Sequence, residues 1–151
     1  MTQPVLVPFE PWHAHLLKAR KDSEMKALEM AGELDHFSLV YAQSSLLAFT
    51  GLVGGYCIGM GGVFPLWPGT AECWLFSSDH FDKYPKFVFK MARQVLDLAD
   101  NHFEIHRLQA SVRADADVNR RFIERLGFKN EGIMEKYGIH GEDYIRYARI
   151  K

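Results

Sequence analysis

The sequence predicts one α/β domain, a mixed and mostly antiparallel central sheet with helices on both faces. Three observations predict it. Two apolar runs, Leu46–Val53 and Tyr56–Val63, flank Gly54-Gly55, the composition of a tight hairpin. The stretch Lys86–Asn101 carries Phe87, Met91, Val95 and Leu98 on one stripe, widened by Val88, Ala92 and Ala99, which is helical spacing. Arg107–Arg113 alternates instead, with Leu108, Ala110 and Val112 inward and Gln109 and Ser111 outward. The order β, helices, then β-β-β-α-β-α-β-β joins a hairpin region to a β-α-β unit and so demands a mixed sheet. At 151 residues the chain is one domain over 1–151, long enough to bury a core without disulfides or metal.

In chain order, Val5–Phe9 is a short extended run between Pro4 and Pro8. Pro11 suits the first turn of a helix with Trp12, Leu16 and Ala19 on one side. A second helix starts near Ser23, carries Met25, Leu28 and Ala31, and stops at Gly32. Asp35 caps a third, with Phe37, Val40, Tyr41 and Ser44 at helical spacing. After the hairpin a loop runs through Pro65, Trp67, Pro68 and Gly69. Thr70–Ser78 then reads as a strand with Ala71, Cys73 and Leu75 on one face and Glu72, Trp74 and Phe76 on the other. A polar loop, Ser78–Pro85, leads into the long helix. Asp115 or Asp117 starts a short helix holding Val118, Phe122 and Leu126, ended by Gly127. Two last strands, Phe128–Tyr137 and Asp143–Ile150, turn at Ile139–Glu142.

Composition narrows the function. A net charge of -1 argues against a protein that grips a phosphate backbone by bulk charge. The two cysteines, Cys57 and Cys73, lie in apolar strands and read as reduced core residues of a cytoplasmic protein. Met1–Val7 lacks the basic start of a leader, and no apolar run reaches membrane-spanning length, so no membrane partner is expected. His102 and His106 stand four apart, but Glu104 is misplaced for a zinc-hydrolase helix, and no metal is expected. Gly59-Met60-Gly61-Gly62 sits in strand context with no lysine after it; there it lets a chain segment or ligand approach the sheet closely.

The element order, with Arg107–Val112, a short helix, and Leu126-Gly127-Phe128 followed by Glu131-Gly132, resembles the GNAT acetyltransferase superfamily. The likeness is greatest to the branch containing N-terminal acetyltransferases of ribosomal proteins. It extends to small phage and prophage GNAT-like proteins through Gly62–Gly69 and Glu72-Cys73-Trp74. The resemblance implies that Thr70–Ser78 and Arg107–Arg113 splay apart and admit the pantetheine arm of acetyl-CoA as a surrogate strand. It also implies a pyrophosphate at the N-terminus of the Lys86 helix. The candidates for contact with acetyl-CoA are Phe76, Ser77 and Ser78 at the strand end, Lys83 and Lys86 as partial compensation at the phosphate end, Arg113, and Asn119, which does not take the role of the family's Asn. Ser77 and Ser78 equally suit capping of the following loop; Arg120 and Arg121 are offered with Arg113 to the adenosine phosphates, against a solvated helix face formed by Arg120, Arg121 and Arg125.

Three departures stand out. The family's glycine-bearing pyrophosphate loop is here Ser78–Lys86, without glycine and with Asp79 and Asp82. The family's cofactor-contacting Asn falls on Ala116, and its thiolate-protonating Tyr on Ile123. Acetyl transfer to an amine needs a base, a polarised carbonyl and a stabilised thiolate. Glu72 beside the expected gap is the candidate base, against an exposed strand carboxylate. Tyr137 and Tyr144 on the last hairpin are candidate acids, against tyrosines that cover a sheet face. The leading expectation is an acetyl-CoA-dependent N-acetyltransferase acting on a small-molecule or protein amine. The competing one is a GNAT-fold protein that has lost catalysis and serves as a binding or phage-structural module. Nucleic acid is disfavoured as a partner. Trp67 and Trp74 suggest a surface that pairs two subunits, or else core packing.

Overall fold

The computed structural model describes residues 3–18 and 24–151. Seven strands form one sheet in the order β1-β2-β3-β4-β5-β7-β6. Strand β1 is Val5–Pro8, β2 Leu47–Val53, β3 Tyr56–Trp67 and β4 Thr70–Ser77; β5 is Arg107–Arg113, β6 Lys129–Met134 and β7 Tyr144–Ile150. Every pairing is antiparallel except β4 with β5, which the crossover helix makes parallel.

The Gly54-Gly55 hairpin forms as predicted, with Gly54 at φ 58, a conformation that suits glycine. The loop expected from Pro65 does not form. Strand β3 continues to Trp67, and the turn is confined to Pro68-Gly69. Proline lacks a ladder N–H, and the register shift between Pro65 and Trp67 accommodates it.

The helices cover both faces. Pro11–Leu16 is a 3₁₀ helix, so the buried residues are His13, Ala14 and Leu17, while Trp12 and Leu16 face solvent. Trp12 and Leu16, expected on one side of this helix, are thus not its buried side; Ala19 lies outside the described residues, as does the predicted helix start at Ser23. Helix α1 (Glu24–Met30) buries Met25 and Leu28, and Gly32 at φ 75 ends it. Helix α2 (Leu34–Ser44) begins one residue before Asp35, which is therefore in the first turn rather than the cap. These elements pack on the face carrying Cys57, Met60, Trp74 and Phe76. Trp74 thus belongs to the core; Trp67 alone of the proposed pair is exposed.

The opposite face holds α3 (Pro85–His102), with Pro at its first position and Val88, Met91, Val95, Leu96 and Ala99 buried. Leu96 takes the buried place expected for Leu98, because the face follows Val88, Met91, Val95 and Ala99 down the helix. Its core is shared with Val63, Ala71, Leu108, Ala110, Ile145 and Tyr147. Each fully buried valine, leucine or isoleucine of this core contributes about 1.5–3 kcal/mol. The loop expected between Ser78 and Pro85 winds into a second 3₁₀ helix over Asp79–Lys83. Helix α4 (Asp117–Arg125) starts at Asp117, and Phe122 meets Phe81 edge-on. Among the described residues no helix is long and apolar enough to cross a membrane.

Candidate active site

Strands β4 and β5 pair at three positions only: Thr70 with Arg107, Ala71 with Leu108 and Glu72 with Gln109. Beyond that last pair β4 runs on to Ser77 and β5 to Arg113 without a further rung. On its other edge β5 pairs with β7 along its whole length. The stretch Cys73–Ser77 spans about 16 Å at the usual strand rise. Main-chain groups of both strands that point into this opening have no partner strand, which a buried backbone does not tolerate without a substitute.

Glycine explains why the opening is not filled by side chains. Trp74, the bulkiest residue of β4, stands over Gly62 of β3, where a Cβ would lie 2.9 Å from its indole nitrogen and 2.3 Å from the Leu47 carbonyl oxygen. Its indole N–H donates to Ser45 Oγ at 3.0 Å. The ring is thereby held toward β3 and away from β5. This is the close approach that the Gly59–Gly62 run implied, made by the chain itself.

The opening is a cavity of about 450 Å³ that reaches both faces of the sheet. Cross-strand register orders the side chains on the face of Glu72. Phe64, Glu72, Gln109 and Ala148 form one row across the sheet. One step into the opening Trp74 and Ser111 stand on opposite banks, with Arg146 beside Ser111; one step further come Phe76, Arg113 and Tyr144. Glu72 therefore sits at the apex. Its Oε2 accepts from Gln109 Nε2 at 2.9 Å and from Arg146 Nη1 at 3.0 Å, and its Oε1 accepts from the same Nη1 at 3.0 Å. One acceptor site on Oε1 is left over. Gln109 is itself oriented, since its Oε1 accepts from Arg107 Nε at 2.9 Å, and Arg107 pairs with Glu131 on β6. That pairing holds the Glu131 carboxyl below, and the Arg107 guanidinium above, their ordinary values.

The structure brings together Glu72, Tyr137, Tyr144, Ser77, Arg113 and Asn119 around this one cavity. Tyr137 and Tyr144 meet edge to face at 5.2 Å. Arg113 is paired with Asp115 at 2.8 Å. Asn119 Oδ1 is buried with no hydrogen-bond partner among the described residues. Phe76, in contrast, is a core residue packed on Tyr41 and Trp74, and its side chain does not reach the cavity. Ser78 is fully buried; its hydroxyl donates to the Ile58 carbonyl at 2.8 Å and accepts from the His80 N–H at 3.1 Å, so it caps the 3₁₀ helix. Lys83 and Lys86 are exposed, at the end of that helix and in the first turn of α3, outside the cavity lining.

Sequence reading missed three residues. Ser111 Oγ is buried without a partner among the described residues, one step past the apex. Arg146 holds the Glu72 carboxylate, and Gln109 orients it. Alternation marked Gln109 and Ser111 as outward, yet only the sheet order shows that this side lines a cavity. Cys73 also lines it, but burial pushes its thiol up to about 12, with Glu72 adding to the effect. It is therefore not a nucleophile at neutral pH. No cluster of three or more metal-ligating side chains occurs among the described residues.

Parallel strands that part beside a βαβ crossover define an acyltransferase fold of the GNAT type. Solved acetyltransferases share it. An acetyltransferase of the GNAT family from Bacillus anthracis superposes with a TM-score of 0.71 at 18% identity, covering 99% of this chain and 98% of that one. Ard1 from Thermoplasma volcanium superposes with a TM-score of 0.77 at 15% identity and 97% coverage of both chains. A chimera of the spermidine N-acetyltransferase SpeG from Vibrio cholerae and hSSAT gives 0.72 at 16% identity, covering 98% and 95%. No family model matches the chain, and no curated protein matches it significantly. The chain has the GNAT fold; these identities speak to architecture alone.

Proposed function

We propose that the chain is an N-acetyltransferase that moves an acetyl group from acetyl-CoA to an amine. One observation carries the reading: the β4–β5 ladder stops at Glu72 and Gln109 while both strands continue. The cavity fits the cofactor on its own residues. An extended amide-bearing arm would complete the unpaired strand edges, and the orphaned Asn119 Oδ1 and Ser111 Oγ await a donor and an acceptor. Bound there, acetyl-CoA would supply a thioester, whose carbon gains a bond to the amine nitrogen as its bond to sulfur breaks.

The chain's own groups would do the rest. Glu72, held by Arg146 and Gln109, offers its remaining lone-pair site for the amine proton, directly or through one water. Ser111 donates its hydroxyl hydrogen toward charge developing at the apex. Tyr137 and Tyr144 shield this side from water and offer a phenolic proton to the leaving sulfur. Lys83 and Lys86 attract the phosphates from outside the cavity. A cytoplasmic location accords with two unpaired, strand-borne cysteines.

One observation favours the inactive alternative. The Asp79–Lys83 3₁₀ helix and the committed Ser78 hydroxyl occupy the position of a phosphate loop, and Pro85 brings no N–H to the start of α3. Thermal denaturation with acetyl-CoA tests the binding that catalysis requires. Ligand at 100 times its Kd stabilises by about 2.7 kcal/mol, a rise of roughly 5–10 °C for a chain of this length. No shift at millimolar acetyl-CoA would remove the enzymatic reading.

A further inference from the structure

The acceptor side of the opening has a chemistry of its own. The face carrying Glu72 is walled by aromatic rings on both banks. On the β3–β4 bank Phe64 is the direct cross-strand neighbour of Glu72. Tyr41 of α2 stacks on Phe64 at 5.7 Å and on Trp74 at 4.8 Å, and Leu66 extends this wall to the rim. On the β5–β7 bank stand Tyr144, opposite Arg113, and Tyr137 against it. Leu66 and Tyr137 remain 38% and 50% exposed, so the groove between the walls is open to a small molecule.

Charge defines the groove further. Glu72 is the one carboxylate among the described residues that line it, and Arg146 already pairs with it at 3.0 Å. The other lining cation, Arg113, is matched by Asp115. Within the lining itself charge is thus balanced, and the next carboxylates, Glu142 behind Tyr144 and Glu131 beside Arg107, lie outside it. A single amine nitrogen delivered to the apex suits that balance. A second or third ammonium on the same molecule would leave water beside rings, with no further carboxylate in the lining to meet it. A peptide acceptor fares little better, because its main-chain N–H and C=O groups would lie against aromatic walls unpaired.

Given acetyl transfer as the reaction, on which the assignment rests, we infer that the acceptor is a small primary monoamine on an aromatic or apolar body. In chemical class it is an arylalkylamine, seated between the Tyr41–Phe64–Leu66 wall and the Tyr137–Tyr144 wall. A flat ring slides between such walls and keeps its amine on the Glu72 side. The class differs from that of the spermidine acetyltransferases sharing this fold, whose named acceptor carries several ammonium groups.

Thiol release from acetyl-CoA would be followed with phenethylamine, tryptamine, spermidine and a short peptide with a free N-terminus. The expected result is a kcat/KM for the aromatic amines at least about tenfold above spermidine and the peptide. Calorimetry of phenethylamine into the CoA-saturated protein should show binding. The rim variant Leu66→Glu, at an exposed position, should raise spermidine turnover several-fold and lower that of phenethylamine. The inference is overturned if spermidine or the peptide is used as well as the aromatic amines. It is equally overturned if phenethylamine fails to bind the CoA-saturated protein, or if Leu66→Glu leaves the ratio unmoved. An acetyl-CoA titration run first separates the two levels: with no cofactor bound, the transferase reading itself falls.

Discussion

Replacing Ser111 by alanine should move stability and activity in opposite directions. In the free protein the Ser111 hydroxyl is shielded from water and has no hydrogen-bond partner among the described residues. An unpaired buried polar group costs about 1–3 kcal/mol, and alanine removes only one oxygen, so little void is left behind. The free protein should gain roughly 0.5–1 kcal/mol, a rise in Tm of about 1–4 °C at this chain length. Catalysis should respond in the other sense. In the proposed transfer a hydroxyl one step past the apex would act where charge develops, and loss of such a donor costs about 10²–10³ in kcat, with the Kd for acetyl-CoA changed only a few-fold. Scanning calorimetry without ligand and steady-state kinetics on the same preparation decide the matter. A fall in Tm together with unchanged kcat would refute the reasoning, because Ser111 would then be an ordinary packed residue.

Other consequences arise from the same geometry. Glu72→Gln keeps the shape of the apex but removes the proposed base, so turnover should drop by about 10²–10⁴ while acetyl-CoA affinity stays within a few-fold; equal turnover removes Glu72 as the proton acceptor. Gly62→Ala would drive a Cβ to 2.3 Å from the Leu47 carbonyl oxygen and 3.0 Å from the Ala48 Cα, and should cost about 3 kcal/mol or more in urea unfolding. Gly55→Ala, whose Cβ meets nothing within 4 Å, should change stability far less. His13 is buried, its Nδ1 accepting from the Glu10 N–H at 3.1 Å and lying 2.8 Å from Thr50 Oγ1, and burial lowers its pKa below 6.5. Between the lowered value and 6.5 the unfolded chain binds the extra proton, so the neutral ring's contribution is complete above pH 6.5 and is lost as pH falls. Urea titrations from pH 8 to pH 5 should show that decline, and His13→Gln should flatten it.

The hairpin, the long helix and the alternation of β5 were legible because each is a local pattern: a glycine pair, a period near 3.6 and a period of two. Glu72, Tyr137 and Tyr144 were legible as candidates through the order of strands. The extension of β3 past Pro65 was not, since proline reads as a breaker unless its partner strand is known. Ser111 and Arg146 escaped for a different reason. Outward-facing serine and arginine on alternating strands look like solvated surface, and only the failed β4–β5 pairing turns that surface into the wall of a cavity. The same applies to Ser78, whose two available partners, the Ile58 carbonyl and the His80 N–H, arrive from β3 and from its own following turn.

The short β4–β5 junction also bears on mechanics. Four strands on one side and three on the other are stitched by three rungs, backed by the apolar layer beneath α3. Such a seam is where the sheet is most easily pried open, and where a guest inserted between the halves would act as mortar. Amide exchange in Cys73–Ser77 and Ala110–Arg113 should therefore be the quickest of the central strands in the free protein and slow most when the seam is filled.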